Sequence, residues 1–449
     1  MTADGGSRAM KIRLSVMMFL QYAIWGAWLP ILFPYLMGKL RFSLDQVSSI
    51  FAAGAAGAII GPFIAGQFAD RFFATEKFLG VSHLIGAALV FALAETTDYR
   101  SFLALSTVYG LVYSPTLALT NSLSFHHLAD RDRDFGRVRL WGTIGWIFAG
   151  IAVGHWLGTR HSPAGLSGAG LEAAWNAGRA DAFRLSALLG GLLGLYCFTL
   201  PHTPPRRDAV QRSAVAQALA CVKRQPLLTL FLLAVPISCV HQFYFVHTSS
   251  FLSRFQSGAT GEFAAEINAI LGVGGGGLMT LGQMSEILVL ALVTVLAKGM
   301  SRKSLLAIGL AAYAARMALF AYTDSAGPIL LGVALHGLCF GCFIFVAFMV
   351  VDEETPVEVR ASAQNLFNLV VVGIGIIVGS KFAGSVAGWA TAKALGPEAA
   401  PDAVLPEAAK RAYYTDLFSV PMWIALACLL VLLLAYPGGR KEAPAAASR

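Results

Sequence analysis

The chain has 449 residues, 57% of them hydrophobic and 13% charged, with a formal net charge of +8. Its mean hydropathy is +0.66 and its apolar residues fall in long runs rather than amphipathic stripes, which excludes a soluble domain and describes a polytopic membrane protein. The basic excess invites a nucleic-acid reading, but the cations lie between the apolar runs, so they mark topology and meet anionic lipid headgroups.

Basic residues Arg8, Lys11 and Arg13 precede an apolar stretch that runs to Met37 and contains Trp25, Trp28 and two prolines. That is too long for a signal-peptide core and reads as a retained first span. Spans are expected at 12–37, 46–69, 78–97, 101–124, 139–158, 183–200, 227–251, 278–297, 304–323, 327–351, 362–388 and 415–436, about twelve in all. Alternating the loops between two sides leaves about 21 Lys and Arg on the side of the termini against about 10 on the other. The positive-inside rule then puts both termini in the cytoplasm. The basic segment from Pro201 to Gln225 divides the spans, giving an N-terminal bundle at 1–200, a linker at 201–226 and a C-terminal bundle at 227–449. Two six-helix halves suit a secondary transporter with its site between them near the midplane.

In chain order, the first span carries Gln21, Tyr22 and Trp25. The turn after the second reads Gly66-Gln-Phe-Ala-Asp70-Arg71, with Lys77 beyond it. It resembles the Gly-xxx-Asp-Arg latch of the major facilitator superfamily, in which a small residue lets helices approach and the charges hold the halves together on the cytoplasmic face. The corresponding turn in the second half, Ala297 to Lys303, keeps basic charges without the Asp. The fourth span adds Tyr113, Thr116 and Asn121 around Pro115. In the fifth, Arg139, Thr143 and Trp146 follow i, i+4, i+7 spacing and share a face. A cation, a hydroxyl and an indole on one stripe could pair with an acid, bond a sugar hydroxyl and stack on a planar ring. Arg139 also lies near a span end, where snorkelling to headgroups is the competing reading.

The seventh span gathers His241, Gln242, Tyr244, Phe245 and His247, more polar and aromatic content than a lipid-facing helix needs. The run Gly272 to Gly277 reads as a flexible approach to the eighth span, since no Gly-Lys-Ser/Thr follows it as in a phosphate loop. Within Leu278 to Leu296, Glu286 is the one charged residue, and Gln283 lies three positions before it on nearly the same face. Placing an ionised acid in hydrocarbon costs roughly 2.5 kcal/mol or more, so such a group faces a polar cavity, a partner or a proton pathway. A carboxylate that a proton can neutralise and an amide that both donates and accepts suit a polar, uncharged, multiply hydrogen-bonding solute. Pairing of Glu286 with a buried Arg or amide to fix helix packing remains the structural alternative. Arg316 in the ninth span needs a partner of its own, His336 and Phe340 sit one turn apart in the tenth, and Asn365 and Asn368 of the eleventh serve as interhelical contacts or ligands.

The six cysteines lie almost all within spans as small hydrophobes, and the Cys339-x-x-Cys342 pair has no further ligand at metal spacing. No HExxH, GxSxG or Walker loop occurs, so neither an intramembrane enzyme nor an ATP-driven pump is expected.

Taken together, the strings Phe19 to Leu29, Tyr113 to Asn121, Arg139-Leu-Trp141-Gly-Thr143-Ile-Gly, Thr199-Leu-Pro201-His202, Gln283-Met-Ser-Glu286, Ala318 to Tyr322 and Val359 to Gln364 resemble the bacterial nucleoside:proton symporters of the major facilitator superfamily. They run in order along nearly the whole chain. The resemblance implies an all-α membrane fold of about twelve helices in two six-helix bundles. It further implies a cavity where Arg139, Thr143, Gln242, Gln283 and Glu286 contact substrate and Trp146 lies near the base. Phe245, His336 and Gly341 stand where better-known members carry Asn, Tyr and Asp. Loss of the tenth-span acid places proton coupling on Glu286, with His336 as its possible associate.

The expectation is an inner-membrane, proton-coupled nucleoside importer that is not an enzyme. Its substrate contacts would be Arg139, Thr143, Trp146, Gln242, Phe245, Gln283, Glu286, His336 and Phe340. A monomer in the bilayer is expected, with nucleoside and protons as ligands and no nucleic acid, metal or cofactor. A carrier of another polar solute, such as a sugar or a modified nucleoside, is the alternative on the same scaffold.

Overall fold

The computed structural model describes residues 3–63, 73–204, 219–258, 262–297, 299–356, 359–400, 403 and 405–437. The expected latch at Gly66, Asp70 and Arg71 lies outside them, as does Lys298 of its counterpart. Every regular element among the described residues is helical. Eleven helices are long and apolar enough to cross a membrane. They are α1 (Arg8–Lys39), α3 (Thr75–Glu95), α4 (Tyr99–His127), α5 (Asp134–Arg160), α6 (Gly168–Cys197), α7 (Leu227–Gly258), α9 (Gly276–Val293), α10 (Arg302–Tyr322), α11 (Ala326–Glu353), α12 (Ser362–Leu395) and α13 (Glu407–Ala435). A further helix, α2 (Leu44–Phe63), stands where the second span is expected, and the short α8 (Glu262–Leu271) precedes α9.

Two stretches between the expected spans, 159–182 and 252–277, are largely helical. The first contains Gly168–Gly178 and the second is shortened by continuation of α7 to Gly258.

The bundles pack through small residues, as expected where lipid offers no hydrophobic force between helices. A Cβ on Gly26 would lie 2.6 Å from the Trp146 backbone, and one on Gly145 would strike the backbone of Phe19, so α1 and α5 meet main chain to main chain. Gly190 and Gly194 of α6 seat against the Ala87 Cβ and the Leu84 side chain of α3. The ends are capped locally: Asp98 accepts from the Ser101 amide at 2.9 Å to start α4, and Ser301 accepts from the Ser304 amide at 3.1 Å to start α10. Large side chains such as Leu434, Leu288, Leu232 and Trp423 lie exposed on the outer flank, forming a surface suited to lipid.

The first-half helices α1–α6 and second-half helices α7–α13 touch chiefly where α5 meets α9 and α2 meets α12. The end of the bundle at which α7 gives way to α9 is termed distal here. At that face the expected flexible glycine run is a tight turn. Gly272, Gly274 and Gly275 take φ of +76°, +81° and +85°, left-handed conformations that suit glycine. Gln256 holds the turn by accepting from the Gly275 amide at 2.8 Å and donating to the Gly272 carbonyl at 2.9 Å. The Val273 amide donates to the Gly154 carbonyl at 3.1 Å, joining the two halves by main chain alone.

Candidate functional site

The contact between α5 and α9 sets the register of the site. A Cβ on Gly150 would sit 2.9 Å from Thr280 Cγ2, while Gly154 abuts Gly272, so residue numbers rise along one helix as they fall along the other. The helices are antiparallel. Counting from Gly150 and Thr280 away from the distal turn brings Trp146 about level with Gln283 and Thr143 about level with Glu286. Arg139 follows one turn on, near enough to act on the Glu286 charge through space. Arg139, Thr143 and Trp146 are all partly exposed.

Arg139 does not form the expected ion pair. Its guanidinium lies over the Tyr22 ring at 3.9 Å, and the partner of Glu286 is His336, whose Nε2 stands 3.8 Å from Glu286 Oε2. Tyr22 is one helical neighbour away across the α1–α5 contact, whereas Glu286 lies across the separation between halves, so the ring is the nearer resting place. A flat guanidinium stacks well on an aromatic face. Gln21 and Thr116 are committed to one another at 2.9 Å, and Tyr113 donates to the Gln21 carbonyl at 2.5 Å. That network fastens α1 to α4. Trp25 connects it to the site by an edge contact with Trp146 at 6.5 Å between centroids.

On the second-half side, Gln242 and Gln283 are buried, and Gln283 Oε1 has no hydrogen-bond partner among the described residues. An unpaired buried acceptor beside an acid is a ready binding group. Glu286 keeps 16% of its side chain exposed, so it is sunk in the bundle without being sealed. His336 lies under it, stacked on Tyr244 at 4.6 Å and on His241 at 5.5 Å, with Phe245 edge-on at 6.2 Å. Close approach depends on Gly282, since a Cβ there would lie 2.8 Å from the Tyr244 hydroxyl and 2.9 Å from His336 Cβ. Phe340 falls one turn beyond His336, partly exposed, in a π-helical stretch over Cys339–Phe345. Such stretches accumulate at functional sites. Gly341 also lies in that stretch, and a Cβ on it would come 2.8 Å from Val289 Cγ1. The place of the absent acid is filled by the neighbouring helix.

Direct contacts bring Glu286, His336 and Phe245 together, while Gln242 packs against Gly379 of α12 and Arg139 is turned aside to Tyr22. His247 stands apart, bonded to the Ala383 carbonyl at 3.2 Å, and joins α7 to α12. Sequence reasoning left Arg316 without a role and missed Tyr313. Arg316 is fully buried, its Nη1 3.0 Å from His336 Nδ1, its guanidinium 4.5 Å from the Tyr244 ring and 5.1 Å from that of Tyr313. The signal was a charge inside an apolar run. Arg179, also fully buried, closes the distal seam by donating to Ser253 Oγ at 3.0 Å and the Gly274 carbonyl at 3.3 Å. Nothing in the Gly/Ala-rich segment around it announced that reach.

Two packed helical halves with polar groups converging between them define a multi-pass membrane transporter of the major facilitator fold. The comparisons make this narrower. The family model described as "Nucleoside H+ symporter" matches residues 8–438. The chain belongs to that family. It is 32% identical over 381 residues to the "Putative nucleoside transporter YegT" of Escherichia coli (strain K12), covering 83% of each chain. It is 27% identical over 391 residues to the "Nucleoside permease NupG" of the same organism, covering 84% of this chain and 88% of the relative. A crystal structure of nucleoside transporter NupG superposes with a TM-score of 0.74 at 24% identity, over 94% of this chain and 97% of that one, which shows the shared fold.

Proposed function

We propose that this transporter carries nucleosides into the cell across the bacterial inner membrane together with protons, by alternating exposure of the site between residues 1–200 and 227–449, with both termini in the cytoplasm. The observation that supports this most is Glu286, the single acid of an apolar helix, partly exposed among uncharged hydrogen-bonding groups with a histidine as its near partner. An acid so placed is tolerable as a neutral, protonated group and reactive as a charged one.

In this reading Glu286 takes a proton from the outer side and, with Gln283 and Gln242, offers donors and acceptors to base and ribose. Thr143 adds a hydroxyl, and Trp146, Phe245 and Phe340 supply apolar faces for the planar base. His336 orients the carboxyl. Arg139 leaves its Tyr22 ring when a polar solute arrives, so it acts as a ligand held in reserve. Closure on the distal side opens the site to the cytoplasm, where lower proton activity discharges Glu286. Membership of a nucleoside symporter family and a site rich in neutral donors and acceptors both favour this cargo over a charged one.

The test is uptake of labelled uridine and adenosine into proteoliposomes with and without an imposed pH gradient. Wild-type protein should accumulate nucleoside uphill under the gradient, and Glu286→Gln should abolish accumulation. Uphill accumulation by Glu286→Gln refutes the proton role. Competition by an excess of unlabelled sugars, with none by nucleosides, replaces nucleoside with sugar as the cargo.

A further inference from the structure

Arg316 is a fully buried cation with no carboxylate among its contacts with the described residues, which is costly unless its field is used. Its one hydrogen-bond partner among the described residues is a ring nitrogen of His336. A guanidinium carries donors and no acceptor, so His336 Nδ1, at 3.0 Å, must accept. A neutral imidazole has one N–H, which therefore sits on Nε2, the atom 3.8 Å from Glu286 Oε2.

We propose that Arg316 is a positioning residue for the proton carrier: it locks His336 as the neutral Nε2–H tautomer, so that the ring presents its proton to Glu286 and does not itself carry the transported one. This rests on Glu286 being the carrier. A second proton on His336 would set an N–H on Nδ1 against an N–H of Arg316, two donors with nothing between them. Arg316 has little freedom to withdraw, because its guanidinium is packed against the rings of Tyr244 and Tyr313.

The surrounding groups leave this arrangement standing. From α7, His241 stacks on His336 but turns its Nδ1 to the Tyr313 hydroxyl at 2.8 Å, and Tyr244 offers a ring face and sends its hydroxyl to the Met279 carbonyl at 3.3 Å. From α9 comes Glu286; from α10, Arg316 and Tyr313; from α11 itself, Cys339, a thiol close enough to interact with Tyr244 and Tyr313. From α5, Arg139 acts on Glu286 through space. The cation is thus one imidazole away from the acid, and that imidazole hands it a single, oriented donor.

The first test needs no variant at the arginine. In full-length protein labelled with ¹⁵N-histidine, with His336 assigned by loss of its signals in His336→Gln, the spectrum at neutral pH should show an unprotonated Nδ1 and a protonated Nε2. The opposite tautomer, or an imidazolium, overturns the proposal. The second test is the pH profile of gradient-driven uridine uptake in proteoliposomes. Arg316→Met should lower uptake by up to about a hundredfold, as a misplaced reacting group does, and add a second titrating step from the released histidine. Arg316→Lys, which keeps a cationic donor, should restore the single step. An Arg316→Met profile identical in shape to wild type overturns the proposal. Uphill accumulation by Glu286→Gln, with the Nε2–H tautomer observed, would instead remove the carrier reading and leave the lock in place.

Discussion

Arg179 and Arg316 are equally buried and differently used. Arg179 meets hydroxyl, carbonyl and amide oxygens from three segments, including Ser253 and Gly274 across the seam, so its charge is spent on holding the distal face shut. Arg316 meets two aromatic faces and one imidazole, and its Nε and Nη2 have no hydrogen-bond partner among the described residues. Arg179 leaves its Nε without a partner among the described residues, but both its Nη groups meet oxygens and cement a contact, whereas Arg316, with a single imidazole as its hydrogen-bond partner there, keeps its field available to a neighbouring titratable group. The contrast separates a closing region from a chemical one within a single helical frame.

Changes at the two regions should therefore differ in kind. The largest effect is expected from Gly272→Ala, which forces a side chain into a left-handed residue and against the Gly154 backbone. A loss of about 4 kcal/mol is expected from backbone strain and overpacking together, read as a sharp fall in melting temperature and in folded yield. Wild-type stability in this variant would mean the seam is not the rigid part. Arg179→Met should cost about 2 kcal/mol through lost hydrogen bonds to a charged group. Its sharper readout is faster reaction of a cysteine introduced at Ser253 with a membrane-impermeant maleimide, and unchanged labelling would show that Arg179 does not hold the face closed. Gly282→Ala should cost about 1–2 kcal/mol, since His336 Cβ and the Tyr244 hydroxyl must give way. Uptake should fall further than that stability change explains, because the ring beneath Glu286 is displaced. Equal losses of stability and uptake would reduce Gly282 to a packing residue.

Much of the architecture was legible in the chain itself, because hydrocarbon admits few backbone solutions and long apolar runs with basic flanks betray them. Glu286 and Gln283 stood out for the same reason: polar groups in such a run are too costly to be incidental. The pairing of Arg139 was not legible. Whether it reached Glu286 or rested on Tyr22 depends on the separation between halves, which no spacing along one helix encodes. The glycine turn was misread as slack, although three left-handed residues and the Gln256 bonds make it one of the most constrained segments. Arg316 gave a signal without an answer, since its partners come from helices far away in sequence.

The seam at Gly154 and Val273 has a further consequence. The bond across it joins an amide to a carbonyl, groups that every residue possesses, and the side chains beside it, Arg179, Ser253 and Gln256, are spent on one another and on the main chain. A barrier of that make is indifferent to cargo. Under the proposed function, discrimination is completed deeper, among Gln242, Gln283, Glu286 and His336, so exchanging those side chains should retune which solute is carried while the door above them works as before.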